Sequence, residues 1–490
     1  MSKKISDYSV TVLLYLHAFK ASRLFTFIKR IIKLVAKETN KLNEQLINDY
    51  KSFLDSGKTE RECVSEIISL AQNKGYKDIS QYNSLKAGDK VYITKMDKAI
   101  ALFEIGSGKI ENGINILGAH IDSPRLDAKQ NPLYEKDNIA YLNTHYYGGI
   151  KKYQWTTIPL SIHGIVCKKD GTKLNIVIGE DASDPVFCIS DILPHLAQEQ
   201  LKDKASDFIH GEDLDLIMGL TVPQKITGDK KEEKQKCKKQ ILEILKEKYS
   251  IEEKDFESAE LEIVPAGKAK DLGLDRSMIL AYGQDDRSCA FTSVYSLINS
   301  SAGERTICCL CVDKEEIGSV GATGMASNLF ENMLAEIINR TENNYSELTL
   351  RRCLSNSFML SSDVNAAYDP MNANLFDKEN SSALGGGIAF QKYTGSRGKS
   401  GASDANPEFI AKIRNAMDNA KVSYQMAELG KVDQGGGGTI AYHAAKYGMN
   451  VLDAGVAVLS MHAPWEIVSK EDICQLYEGY KAFLSLSNTL

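Results

Sequence analysis

The chain has no run of about 18 consecutive apolar residues, the length a spanning helix needs, so no transmembrane segment is expected. Cysteine is sparse, 10 in 490 residues, which excludes a disulfide scaffold. Cys308, Cys309 and Cys311 lie inside the apolar run 307–312 rather than at zinc-knuckle spacing, so free thiols and a reducing, cytoplasmic location are expected. An excess of either charge is also missing: 59 basic against 65 acidic residues leaves a formal charge of -6. That balance gives no electrostatic footprint for nucleic acid. There is no internal repeat and no low-complexity tract. What remains is globular composition, 43% hydrophobic and 25% charged, over a length of about three domains.

Organisation changes along the chain. Lys3 and Lys4 precede a partly apolar run, 8–19, that loosely imitates a secretory signal. Asp7, Ser9, Thr11 and His17 dilute it, and no small-residue cleavage site follows. Residues 23–37 alternate basic side chains with Leu, Phe, Ile and Val, a pattern for an amphipathic helix. A soluble helix is the expectation, with contact to a membrane or partner surface confined to this 1–40 extension. Helical periodicity follows over 42–74, and Thr59-Glu60-Arg61-Glu62 has the form of a capping start. Short β-rich runs cover 90–94, 99–105 and 114–117, the last leading into Gly118-Ala119-His120.

Residues 127–273 differ in texture, with strand patterns at 162–167 and 174–178 and a charged run at 229–239. Beyond residue 280 strand and helix alternate: helix at 288–298, buried strand at 305–313, helices at 323–338 and 439–447, buried strand at 451–459. The expected fold is therefore α/β, a mixed central sheet flanked by helices and interrupted by a mostly β insertion. Its parts are an extension (1–40), a first catalytic portion (41–126), the insertion (127–273) and a second catalytic portion (274–490).

Five segments put His, Asp or Glu where a strand gives way to a loop, the place where α/β folds build their sites. They are His120-Ile121-Asp122-Ser123-Pro124, Asp285-Asp286-Arg287, Asp313-Lys314-Glu315-Glu316, Ser361-Ser362-Asp363 and Ser460-Met461-His462-Ala463-Pro464. Singly each is ordinary, since a strand-end His is more often a hydrogen-bonded structural residue than a ligand. Together they supply the mixed nitrogen and oxygen donors of a two-metal hydrolase, with one carboxylate to spare for proton transfer. Adjacent Glu315 and Glu316 diverge in direction, so one can bind metal while the other faces water.

These segments, with Tyr147-Gly148-Gly149, Trp155, Ile192-Leu193-Pro194-His195-Leu196-Ala197, Gly283-Gln284-Asp285-Asp286-Arg287, Gly435-Gly436-Gly437-Gly438-Thr439 and Leu459-Ser460-Met461-His462, resemble the aspartyl aminopeptidase and vacuolar aminopeptidase I family of metallopeptidases, and within it the bacterial-type branch. The resemblance runs from about residue 42 to the end. It implies a zinc-peptidase-like fold whose insertion mediates dimerisation, and a dodecamer built from dimers. It implies two divalent ions per subunit, zinc first with cobalt or manganese as alternatives, bridged by Asp285. His120 and Asp363 would complete one position, Glu316 and His462 the other. Glu315 would be the general base and Asp122 would orient His120.

The Gly435 to Gly438 run lacks the G-K-[S/T] of a phosphate loop, and the resemblance makes Gly438 and Thr439 substrate-lining. His195 is carried as a contact to a neighbouring subunit's site, against the alternative of a surface His preceding a helix.

Two departures bear on substrate choice. Asp363 is followed by Val364, Asn365, Ala366 and Ala367, without the His that many relatives place there. The acid-specific branch carries a Lys just after a Gly-Pro pair, whereas this chain reads Gly386-Gly387-Ile388-Ala389-Phe390, with Lys392 the nearest cation. A pocket without a fixed cation favours neutral or apolar N-terminal residues. The expected function is thus a metal-dependent aminopeptidase acting on peptides. The alternatives are a two-metal N-acyl amino acid deacylase or carboxypeptidase, and a self-assembling cargo or binding protein with a vestigial site.

Overall fold

The computed structural model describes residues 41–221, 235–342 and 344–487. The signal-like run 8–19, the amphipathic pattern 23–37 and most of the charged run 229–239 lie outside the described residues. Two compact units divide the chain between residues 49 and 50. Of the first, residues 41–49 are described and helical. All that follows concerns the second.

Thr59 caps the helix Glu60–Gln72: its hydroxyl accepts from the Glu62 amide while the Glu62 carboxylate accepts from the Thr59 amide. This reciprocal pair satisfies two amides that a helix start leaves open. The Ala99–Glu104, Asn115–His120 and Ile307–Val312 strands are buried at every position, because both faces of their sheet are covered. They lie within nine strands ordered Lys77–Asp78, Lys90–Lys95, Ala99–Glu104, Ile307–Val312, Asn115–His120, Phe358–Ser361, Asn450–Gly455, Ile388–Gln391, Tyr424–Met426. The four from Ile307–Val312 to Asn450–Gly455 are mutually parallel. One face packs on the helices Leu329–Thr341 and Glu347–Ser355 through a core that includes Phe103, Leu310, Phe330 and Ile337. Helices Gln284–Ile298 and Lys470–Leu484 pack on each other and on Asn115–His120.

A six-stranded antiparallel sheet draws on strands from Arg125–Lys136 to Ala259–Pro265, with its own core around Trp155, Leu160 and Ile263. It meets the Glu60–Gln72 helix and the residue before its cap through charge: Lys58 pairs with Glu180 at 2.6 Å, His163 with Glu62 at 2.7 Å, and Arg125 with Glu60 at 3.7 Å. A five-stranded sheet, Lys270–Leu272, Met278–Ala281, Glu466–Ser469, Ala457–Leu459, Asn365–Ala366, completes the architecture. All ten cysteines are free. Among the described residues no helix is long and apolar enough to cross a membrane.

Three expectations are corrected. The helix expected at 323–338 is Leu329–Thr341, because the Thr323 hydroxyl donates to Asp313 at 2.7 Å and holds 323–328 in turns. The helix expected at 439–447 is only Ala441–Ala445. The strand expected at 451–459 is two, Asn450–Gly455 and Ala457–Leu459, in different sheets. The chain crosses at Gly455, where a Cβ would sit 2.0 Å from the Asp363 carbonyl oxygen.

Candidate active site

Three neighbouring parallel strands end at one edge, and each delivers chemistry at its last residue or just beyond it. His120 ends Asn115–His120, Glu315 and Glu316 follow Ile307–Val312, and Asp363 follows Phe358–Ser361. The five-stranded sheet supplies the other side: Asp285 follows Met278–Ala281, and His462 follows Ala457–Leu459. Asp285 sits at the start of Gln284–Ile298 with non-helical φ -82° and ψ 108°, which turns its carboxylate out of the helical path. The Asp285–Asp286 peptide is cis.

Asp285 lies between the two histidines. Its Oδ1 is 3.3 Å from His120 Nε2 and its Oδ2 is 3.2 Å from His462 Nε2. Asp363 groups with His120 and Asp285, while Glu316 groups with His462 and Asp285, with donor atoms of each group within 4.8 Å of one another. Each ring is aimed by a backbone carbonyl behind it: His120 Nδ1 is 3.1 Å from the Asp122 oxygen and His462 Nδ1 is 3.0 Å from the Gly149 oxygen. A proton on Nδ1 satisfies that carbonyl and leaves Nε2 facing Asp285, where it donates while the ring is charged and is free to bind metal once that proton leaves. The approach of Gly149 explains part of the Tyr147-Gly148-Gly149 motif. Gly148 has φ +75°, and a Cβ there would sit 3.4 Å from the Glu316 Cβ.

Charge follows this geometry. Burial alone would lower the His462 pKa, but the hydrogen bond and charge of Asp285, with Glu316, outweigh it and carry His462 to about 10. His120 is raised in the same sense, its burial outweighed by Asp122 and Asp285. Burial pushes Asp363 and Glu316 well above the ordinary carboxylate range. Glu315 is pushed up to about 7, first by burial and then by the charges of Asp122 and Asp285 acting against the two histidines.

Two further carboxylates hold the frame. Asp122 accepts the amides of Glu315 at 3.1 Å and Glu316 at 3.2 Å, and the Tyr147 hydroxyl at 2.8 Å. It therefore positions the glutamate pair as well as His120. Glu466, which the sequence reading did not single out, accepts the amides of Asp285 at 3.0 Å and His462 at 2.7 Å. Burial and the charge of Asp285 raise it to about 8. Its only sequence signal is its place four residues after His462.

The five candidate ligands and Glu315, but not the buried Asp122, line a cavity of about 770 Å³ that also takes in Gly435 to Gly438 and Thr439. The glycine run pairs with a second loop, Gly395–Ser396 against Gly436–Gly437. Gly436 has φ +126° and a Cβ there would meet the Gly395 oxygen at 2.4 Å, whereas nothing lies within 4 Å of a Cβ at Gly437 or Gly438. The run is thus tight against its partner and open toward the cavity. The Thr439 hydroxyl is committed to Asp453 at 2.6 Å. His195 is exposed and is not among the residues lining this cavity.

The expectation of a cavity without cations is corrected. Arg397, Lys399 and Lys431 line its outer loops, carried there by the strand pairing of two segments far apart in sequence. Lys399 lies 3.8 Å from the Tyr393 ring and 3.5 Å from Asp404, and Arg397 and Lys431 are exposed.

The donors fit divalent metal. Two imidazole nitrogens and three carboxylates converge, and Glu316 Oε1 is buried with no hydrogen-bond partner in the protein, as a ligand oxygen would be. A third carboxylate group, Glu60, Glu260 and Glu262, already has cations: Lys98 pairs with Glu60 and Glu260, and Arg125 with Glu60 and Glu262. It reads as an ion-pair junction.

Residues 53–484 match the family model of the aminopeptidase I zinc metalloproteases, M18. A curated relative from Clostridium acetobutylicum, "Probable M18 family aminopeptidase 1", is 58% identical over 440 residues, covering 89% of this chain and 93% of its own. The crystal structure of an M18 aminopeptidase from Thermotoga maritima superposes with a TM-score of 0.86 at 43% identity, covering 91% of this chain and 96% of that one. The crystal structure of aminopeptidase I from C. acetobutylicum gives 0.82 at 55% identity, covering 90% and 95%. The S. cerevisiae mApe1 dodecamer shares the fold at 20% identity, with a TM-score of 0.71 over 90% of this chain and 97% of that one.

Proposed function

The chain belongs to the M18 family of aminopeptidase I zinc metalloproteases, and from that premise we propose how its residues divide the work of a metal-dependent aminopeptidase. Two zinc ions are held per subunit, with cobalt or manganese able to replace them, since His and carboxylate donors suit all three. Asp285, His120 and Asp363 would hold one ion, at the inner position, and Asp285, Glu316 and His462 the other, at the outer. The observation that carries this assignment is the placement of one Asp285 oxygen against each histidine Nε2.

Bound there, the ions supply Lewis acidity, polarising the scissile carbonyl and lowering the pKa of the attacking water. Glu315 takes the proton from that water on a carboxylate oxygen and passes it to the departing amine. Asp122 fixes the backbone of Glu315 and Glu316, so base and ligand keep their divergence. Gly438 and Thr439 border the peptide, whose backbone can approach Gly437 and Gly438 without meeting a side chain.

The released residue is neutral or apolar. Val364 lies on the cavity wall beside Asp363, Lys399 is engaged by Tyr393 and Asp404, and Arg397 and Lys431 stand exposed, where water screens them. The six-stranded insertion serves as a dimerisation domain, and dimers build a dodecamer like that of the yeast relative, with His195 available to a neighbouring subunit. A cytoplasmic location accords with ten free thiols.

The test is release of N-terminal residues from unblocked dipeptides, with Leu-amide and N-acetyl-Leu as controls, after metal stripping and reconstitution. Leu release with no cleavage of N-acetyl-Leu is expected. Preference for Asp or Glu would overturn the neutral pocket and give Arg397 or Lys431 the recognising role. Cleavage of N-acetyl-Leu alone would overturn the aminopeptidase assignment of these residues.

A further inference from the structure

We propose that Glu466 is a positioning residue that holds the outer metal position together. The inference rests on the ligand assignment proposed above.

Glu466 begins the Glu466–Ser469 strand, is 1% exposed, and pairs in register with Ala281, the last residue of the strand that leads to Asp285. Its two oxygens receive two different amides: Oε2 accepts from Asp285 and Oε1 from His462. A single side chain thus ties together two ligand-bearing loops that approach from separate parts of the chain. The Gln284 side chain adds a bond of 2.6 Å to the Glu466 carbonyl, fixing the same junction from behind. Asp122 does the equivalent for Glu315 and Glu316, so every proposed ligand of the outer position has its backbone amide on one of two buried carboxylates.

The outer position depends more on this clamp than the inner one does. Asp285 has a second backbone anchor, the Ser123 hydroxyl on its carbonyl oxygen at 2.7 Å. His462 has φ +64° in a turn whose Ser460 has φ +59°, left-handed backbone that non-glycine residues adopt only when held. Its amide is held by Glu466. His120, by contrast, ends a fully buried strand and is paired there with Val312 of the neighbouring strand.

The experiment uses the full chain and the variants Glu466→Gln and Glu466→Asp. Zinc content per chain and zinc affinity are measured by chelator competition, beside thermal unfolding of the metal-free proteins. Replacing one oxygen by an NH₂ group sets a donor against a donor, so Gln keeps one of the two bonds. The expected result for Glu466→Gln is one ion held as in the parent and a second weakened by about 10- to 100-fold. Glu466→Asp retains both acceptor oxygens and recovers part of that loss, and it carries the test if the Gln variant does not fold. Equal weakening of both ions, or a fall in unfolding temperature with both affinities unchanged, would reduce Glu466 to a general structural role and overturn the proposal. A parent that binds no second ion would instead overturn the ligand assignment beneath it.

Discussion

The two halves of the donor set share Asp285 and differ in almost everything else. On the inner side His120 is 1% exposed and Asp363 8%, both at the ends of strands buried along their length. On the outer side the His462 side chain is 36% exposed and projects from a turn with left-handed backbone. The same chemical donors are therefore offered by a rigid wall and by a clamped loop. The dry wall excludes water and the exposed turn admits water and substrate, so the asymmetry predicts that the two positions differ in metal affinity.

The largest expected effect falls where the halves meet. Glu315→Gln removes the proton carrier while leaving all five proposed ligands, so kcat should fall by about 10²- to 10⁴-fold with metal content unchanged. Loss of metal in that variant would make Glu315 a ligand and break the division.

Next come the histidines. His120→Gln strips a buried imidazole from Asp122 and Asp285 and should cost about 3 kcal/mol in chemical denaturation. The half-exposed counterpart, His462→Gln, should cost about 1 kcal/mol or less and leave one tight ion. Equal costs would erase the contrast.

A smaller effect follows from pH. In the metal-free chain Asp285 holds His462 protonated up to about 10, and an arriving ion must displace that proton. Outer-site affinity should therefore rise with pH up to about pH 10, by about tenfold per unit for the His462 proton and more steeply where Glu316 also gives up a proton. Affinity independent of pH, read by calorimetry in buffers of different ionisation enthalpy, would contradict the pairing. Least of all, Thr59→Ala should lower stability by about 1 kcal/mol through the lost cap and change neither half, a control for general destabilisation.

Much of this is legible in the sequence. The strands carrying His120 and preceding Glu315 declared themselves as short apolar runs, because a strand covered on both faces needs apolar residues at nearly every position. The Thr59 cap was legible because its signal is local, four residues long. The candidate ligands were named by donor type and by the family resemblance, and the structure brings all five together. Glu466 was not legible, since nothing near it in sequence tells that its partners are the amides of Asp285 and His462. Arg397 and Lys431 were missed for a related reason: they reach the cavity only through the pairing of Gly395–Ser396 with Gly436–Gly437. The 323–338 pattern misled because the apolar period ran on past the point where the Thr323 bond to Asp313 prevents a helix.

By itself the sequence determined which donors were on offer and that they stood at strand ends, because apolar periodicity and turn chemistry act over a few residues. Tertiary structure alone decided which Asp285 oxygen faces which histidine, which carboxylates accept backbone amides, and which half of the site is open. Those are distances between segments up to 342 residues apart, His120 to His462, and they exist only once the sheets have closed on one another.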